Sequence, residues 1–269
     1  MTIFVGTSGW QYDDWRGVVY PQRLPKRLWL ETYTQMFDIV ESNNAFYRLP
    51  EHHTFAAWAE RTPESFLFTV KMSRFLTHIK RLRDPEEPVA RFVERVAGLG
   101  GKLAAVLLQL PPTLRSDHDL LDACLRLFPP EMRIAVEFRH DSWWTDATRA
   151  LLERHRAALC LADGDLGSDA VKPRRKSQPV SPLWRTAEWG YLRFHHGAAR
   201  PDPCYGRSAL ESWADRLVDI YGSDADVFVF FNNDWYGCAP ANAHTFARAL
   251  KRRGVEVTKT TKVVPTGHG

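Results

Sequence analysis

The chain has little with which to cross-link or anchor itself. Its 269 residues include four cysteines, Cys124, Cys160, Cys204 and Cys238, and none forms a C-x-x-C pair. That scatter speaks against a zinc knuckle or a disulfide framework and reads as four reduced thiols. No apolar run approaches the roughly 18 residues that a membrane-crossing helix needs, so no membrane partner is expected. The start, Met1-Thr2-Ile3-Phe4-Val5-Gly6, lacks a basic n-region and a long apolar h-region. A soluble, cytoplasmic protein is expected. Neither G-x-G-x-x-G nor G-x-x-x-x-G-K occurs, which excludes nucleotide sites of those kinds, and no organic cofactor is expected. A strong excess of one charge is missing too: 36 Lys and Arg face 32 Asp and Glu, a net +4. Mild basicity suits a small anionic ligand without marking a nucleic-acid binder.

What the chain does have is a regular alternation. Short apolar runs fall at residues 3–7, 37–43, 66–71, 104–110, 133–138, 158–163, 190–195 and 227–232. Between them lie amphipathic stretches at 87–99, 117–127, 145–156, 210–221 and 241–253, the last ending at Gly254. Alternating strands and helices predict a parallel sheet. Eight such units in this length predict an α/β fold, a TIM-like (β/α)8 barrel occupying residues 1–269 as a single domain. A doubly wound open sheet is the alternative. Two segments break the rhythm, 9–29 and 164–189, the second carrying Lys172-Pro173-Arg174-Arg175-Lys176. Both follow strands, where long loops serve as lids or binding loops.

The apolar runs end in polar tips. Strand side chains alternate faces, so Ile39, Glu41 and Asn43 share a face, as do Leu67, Thr69 and Lys71. The same holds for Ala135, Glu137 and Arg139, for Leu159, Leu161 and Asp163, and for Tyr191, Arg193 and His195. The polar set is expected to point into the barrel near its C-terminal rim, where active sites of this fold sit. Lys71, Arg139 and Arg193 suit an anion, because guanidinium forks match phosphate and carboxylate. Glu41 and Glu137 are the candidate acid/base pair, with His195 and Asp163 as further catalytic candidates. Asn43, Gln109 and Asn232 are expected to orient hydroxyls or carbonyls. Trp10, Tyr12 and Trp143 follow strand ends and offer faces for a sugar or base, as do Trp15, Trp144 and Trp235. His78 lies in the basic stretch 73–81 after the third strand. A divalent metal on Glu41, Glu137, Asp163 and His195 is possible by residue type, but three cations in the same ring oppose it. The bland alternative for the set is a structural ion-pair ring filling the barrel top.

These residues fall in ordered motifs: Gly6-Thr7-Ser8-Gly9-Trp10 with Tyr12, Trp15 and Tyr20-Pro21; Glu41-Ser42-Asn43-Asn44-Ala45-Phe46-Tyr47-Arg48; and Phe68-Thr69-Val70-Lys71 with Thr77-His78. Gln109-Leu110-Pro111-Pro112, Val136-Glu137-Phe138-Arg139-His140 with Trp143, Leu192-Arg193-Phe194-His195 and Phe231-Asn232-Asn233-Asp234 follow. Over nearly its whole length the chain resembles the YecE-like family, the "domain of unknown function 72". The resemblance implies a TIM-like barrel and no established activity. One departure is visible: the seventh-strand motif of the family reads His-Gly, whereas here it reads His195-His196-Gly197, and the strand face favours His195.

The leading expectation is an enzyme doing acid/base chemistry on a small phosphate-bearing sugar or nucleotide at the C-terminal rim. The alternative is a nucleic-acid-binding or processing factor using the basic rim and aromatic loops. A glycosidase with paired carboxylates is weaker, since three rim cations have no task there. The sequence leaves the oligomeric state open.

Overall fold

The computed structural model describes residues 1–163, 181–222 and 224–261. The basic run at 172–176 lies outside the described residues. Eight strands form the staves: β1 (Thr2–Thr7), β2 (Ile39–Ser42), β3 (Leu67–Lys71), β4 (Leu103–Gln109), β5 (Ile134–Glu137), β6 (Ala158–Asp163), β7 (Gly190–Phe194) and β8 (Val227–Phe231). The helices are α1 (Trp29–Met36), α2 (Asn44–Tyr47), α3 (His52–Glu60), α4 (Glu86–Val96), α5 (His118–Leu125), α6 (Asp146–Arg154), α7 (Arg207–Tyr221) and α8 (Cys238–Lys251). A two-residue β9 (Glu256–Val257) joins the edge of β1, giving the order β2-β3-β4-β5-β6-β7-β8-β1-β9. All the strand pairs are parallel. The fold is the expected TIM-like α/β barrel. Helices α1, α2 and α3 lie outside the amphipathic stretches singled out from the sequence.

Two apolar layers explain the strand composition. Val40, Val70, Val106, Leu108, Val136, Leu161, Leu192 and Val229 belong to the large outer core beneath the helices. Ile39, Ala105, Leu107, Ala135, Ala158, Cys160, Tyr191, Phe228 and Phe230 form the barrel interior. The interior is narrow, so small residues at 105, 135 and 158 leave room for Tyr191 to reach across it.

The seam between β1 and β2 closes unlike the others. A parallel bridge joins Ser8 to Glu41 at the top, with Gly9 N donating to Glu41 O at 2.8 Å. Below it the edge of β1 finds other partners. Thr7 N donates to the Tyr33 hydroxyl at 3.0 Å, and that hydroxyl donates to Ile39 O at 3.1 Å. Val5 N donates to Thr258 Oγ1, and Thr258 N donates to Ile3 O. Buried backbone groups need partners, and one hydroxyl here stands in for a missing rung. Close approach also demands Gly6, since a Cβ there would lie 2.4 Å from Ile39 O.

The cysteine expectation is corrected. Cys204, in the loop after β7, and Cys238, at the start of α8, form a disulfide with Cα atoms 5.0 Å apart. Sequence spacing missed it because the two meet only when β7 and β8 lie side by side. Cys124 and Cys160 are free and buried. Thiol titration of the protein, denatured without reductant, is expected to find two reactive thiols. Four would show the bridge absent.

Candidate functional site

Polar tips of five strands converge at the C-terminal end of the barrel. Glu137 ends β5, is fully buried and accepts from four groups. Oε1 takes Arg139 Nε at 2.9 Å and His195 Nε2 at 3.1 Å. Oε2 takes Gln109 Nε2 at 2.9 Å and Arg193 Nη1 at 2.7 Å. Burial alone raises a carboxyl pKa, but Arg139, Arg193 and His195 overcome it and hold Glu137 well below the usual range.

Arg193 links this carboxylate to a second one. Its Nη2 donates to Glu41 Oε1 at 2.8 Å, while Glu41 Oε2 accepts from the Tyr191 hydroxyl at 2.6 Å. Tyr191 also meets Thr69 Oγ1 at 3.1 Å. Arg193 is itself 1% exposed, and although burial opposes its charge, Glu41 and Glu137 hold it protonated. Burial pushes the His195 pKa down to about 4 against the pull of Glu137. The ring is therefore neutral near pH 7. The contact to Glu137 assigns the proton to Nε2, leaving Nδ1 to face Asn232 Nδ2 at 3.3 Å. His196 leaves the barrel and pairs with Asp202 at 3.0 Å, so His195 is the one that enters.

Two carboxylates and two guanidiniums thus balance, and Lys71 is left over. It ends β3 at 9% exposure. Among the described residues, no hydrogen-bond or carboxylate partner meets its Nζ, which lies 3.9 Å from the centroid of the Phe46 ring. Burial, then the Arg193 charge, push its pKa down to about 7. The Phe46 ring also meets His78 edge-on at 4.9 Å. His78 Nδ1 contacts Thr77 Oγ1 at 2.8 Å, and burial with the charges of Lys71, Arg139 and Arg74 lowers its pKa to about 4.

Several expectations need correction. Asp163 does not enter the barrel. It shares the outer face with Leu159 and Leu161, and its Oδ2 accepts from Trp213 Nε1 of α7 at 2.7 Å. Trp10 packs against Trp58 and Phe68 in the outer layer, and Trp143 stacks on Phe138 with its Nε1 donating to Leu114 O. Neither offers a face to a ligand, and Trp15 is likewise fully buried. Among the tryptophans after strand ends, Trp235 is the exposed one at 66%. Tyr12 is half-buried beside the rim, its hydroxyl donating to Ser8 O. Asn43 precedes α2 with its Oδ1 buried and unpartnered. Among the described residues there is no group of three potential metal ligands. Arg193 lies between the two carboxylates that the metal reading had joined.

Tyr191, Phe46 and Asp234 were named in the sequence patterns without being given a role at the site. Tyr191 shares the face of Arg193 and His195, a signal that was available. Phe46 brings its face to Lys71 by a turn of α2 that no strand period foretells. Asp234, beyond β8, has its pKa raised to about 6 chiefly by burial.

Two outcomes follow from these charges. Glu137→Ala is expected to cost about 3–5 kcal/mol, because it strands buried Arg193 without one counter-ion. Urea unfolding would measure it, and a loss under 1 kcal/mol would be incompatible with this network. Lys71 acts in the opposite sense. Its folded pKa of about 7 lies below its ordinary 10.5, so the folded state binds fewer protons between those values and stability rises with pH across that window. The cost of burying the charge is full below pH 7. Lys71→Met is expected to stabilise at pH 6 and to flatten this rise, read from urea midpoints at pH 6, 8 and 10.

Comparison with known proteins agrees with this architecture. YunF of Bacillus subtilis is 28% identical over 274 residues, covering 92% of this chain and 94% of YunF. YecE of Escherichia coli is 23% identical over 269 residues, 95% of each chain. The crystal structure of a DUF72 family protein from Thermotoga maritima superposes with a TM-score of 0.79 at 29% identity, covering 93% of this chain and 100% of that one. A structure named SacUVDE superposes at 0.54 with 10% identity, a likeness of fold alone. No helix among the described residues is long and apolar enough to cross a membrane. A family model described as "Protein of unknown function DUF72" matches residues 4–267, and the chain belongs to that family.

Proposed function

We propose that the C-terminal mouth of the barrel is the active site of an enzyme that moves protons on a small anionic substrate, such as a phosphate-bearing sugar or nucleotide. The observation that carries it is Lys71, a buried lysine that meets no counter-ion among the described residues, at the rim of a barrel where Glu41, Glu137 and Arg193 pair with one another. Desolvating a charge with no partner is costly, and a purely structural ring gains nothing from it. An anion arriving at the mouth supplies the missing partner. Arg139, 17% exposed at its side chain, then holds the anionic group with the substrate's reacting part beside Lys71.

The roles shift from those expected of the carboxylates. Glu137 has its four acceptor sites filled, and Glu41, fully buried, is tied on one oxygen to Arg193 and on the other to Tyr191. They serve better as anchors that fix Arg139, Arg193 and His195. Proton transfer falls to Lys71 and His78, whose pKa values of about 7 and about 4 make both available as bases near neutral pH. The same tie through Arg193 leaves Glu41 and Glu137 poorly arranged as an opposed glycosidase pair.

One observation favours a second reading, a nucleic-acid partner. Tyr47, Phe75, Trp235 and Tyr236 are exposed on segments that follow β2, β3 and β8, forming an aromatic rim around the mouth. Stacking on such a rim tolerates sequence, and its affinity falls steeply with salt.

Thermal unfolding with inorganic phosphate, pyrophosphate, sugar phosphates and a short single-stranded oligonucleotide separates the two. A small phosphate compound at about 100 times its Kd is expected to stabilise by about 2.7 kcal/mol, and Arg139→Ala is expected to abolish the shift. A shift with the oligonucleotide alone, erased by salt, would transfer the function to the second reading.

A further inference from the structure

We propose that Lys71 forms an imine with its substrate, so that the ligand of the mouth is a small carbonyl compound bearing a phosphate or carboxylate group. The inference rests on the active-site reading above and names the reaction class within it. Four features support it. Lys71 is the terminal residue of β3, fixed on a rigid stave rather than on a loop. It is more than nine-tenths buried, yet its Nζ is not among the buried polar atoms shut off from solvent without a partner. Among the described residues no acceptor engages the amine's protons and no donor engages its lone pair. Phe46 presents its ring face at 3.9 Å, which favours a cation on that nitrogen without hydrogen-bonding to it.

The surroundings supply the remaining requirements. A lysine attacks only as the neutral amine, and desolvation together with a neighbouring cation produces that form near neutral pH. Arg193 and Arg139 disfavour the ammonium, Glu137 and Glu41 favour it, and burial settles the balance toward the amine at about pH 7. His78, neutral and across the same aromatic ring, adds no positive charge.

The step balances without an oxidant or a metal. The Nζ lone pair forms a bond to the carbonyl carbon, and the carbonyl π pair moves to oxygen. The two amine protons end on that oxygen, which leaves as water while the C=N bond forms. Protonation of the imine places a positive charge over the Phe46 face and draws electrons from the adjacent carbon. Hydrolysis returns the amine.

Reductive trapping tests this on the full chain. The protein would be incubated at pH 7.5 with pyruvate, dihydroxyacetone phosphate or ribose 5-phosphate and sodium cyanoborohydride, then digested and mapped by mass spectrometry. The expected result is one adduct of the probe's mass less one oxygen, on the peptide holding Lys71. Labelling should exceed that of any other lysine at least tenfold, fall below pH 6, and be absent in Lys71→Arg, which keeps the charge but cannot form the imine. The probe that labels fastest distinguishes a carboxylate from a phosphate anchor. Labelling spread evenly over surface lysines, or none at Lys71, would overturn the imine. If phosphate still stabilises the protein in that case and Arg139→Ala removes the effect, the active-site reading stands and the imine alone falls. If no anion stabilises the protein either, both fall. The trapping needs only the wild-type protein, so a poorly folding variant does not weaken it.

Discussion

The barrel top depends on one guanidinium. Arg193 lies between Glu41 and Glu137 with hydrogen bonds of 2.8 and 2.7 Å, and each carboxylate collects its other partners around that link. Tyr191 and Thr69 organise on the Glu41 side, Gln109, Arg139 and His195 on the Glu137 side. Bidentate geometry suits arginine and not lysine. The arrangement spans β2, β3, β4, β5 and β7, so the strands share a polar layer above their apolar interior. Burying that many charges is tolerated because Glu41, Glu137 and both Nη atoms of Arg193 have partners, although Arg193 Nε is buried without one among the described residues.

The pairing of those carboxylates sets Lys71 apart. Glu137 uses both oxygens twice over, whereas among the described residues the nearby Lys71 Nζ meets only the face of Phe46. The carboxylates hold the network together, and among the described residues the Lys71 amine stands outside it. Preorganisation of this kind is what catalytic sites on strand ends provide more readily than sites on loops.

Much of this was legible in the residues, and the failures have physical causes. Period-two alternation placed Glu41, Lys71, Glu137, Arg193 and His195 correctly, because each strand carries polar residues on one face and bulky apolar ones on the other. It failed on β6. There Leu159, Leu161 and Asp163 do share a face, but it is the outer one, since the narrow interior accepts Ala158 and Cys160 and turns the larger side chains toward α7. A polar tip on that face finds an indole N–H rather than a ligand. The tryptophans after the strands misled for a related reason: Trp10, Trp15 and Trp143 bury more area beneath the loops than they would at an open mouth. The Cys204–Cys238 bridge and the placement of Phe46 depend on neighbours distant in sequence, which no local pattern contains.

The improvised seam between β1 and β2 has a consequence for the order in which this molecule can come into being. The hydrogen bonds that occupy the free edge of β1 come from Tyr33, Glu41 and Thr258. Two of these are available early in synthesis, but Thr258 follows all eight staves in the chain. β8, the other neighbour of β1, is scarcely earlier. A nascent chain therefore carries its first strand with an unpaired flank while six staves are already made. The cylinder shuts only once β8 and Thr258 have been made, and until then that flank is exposed to any other strand that meets it.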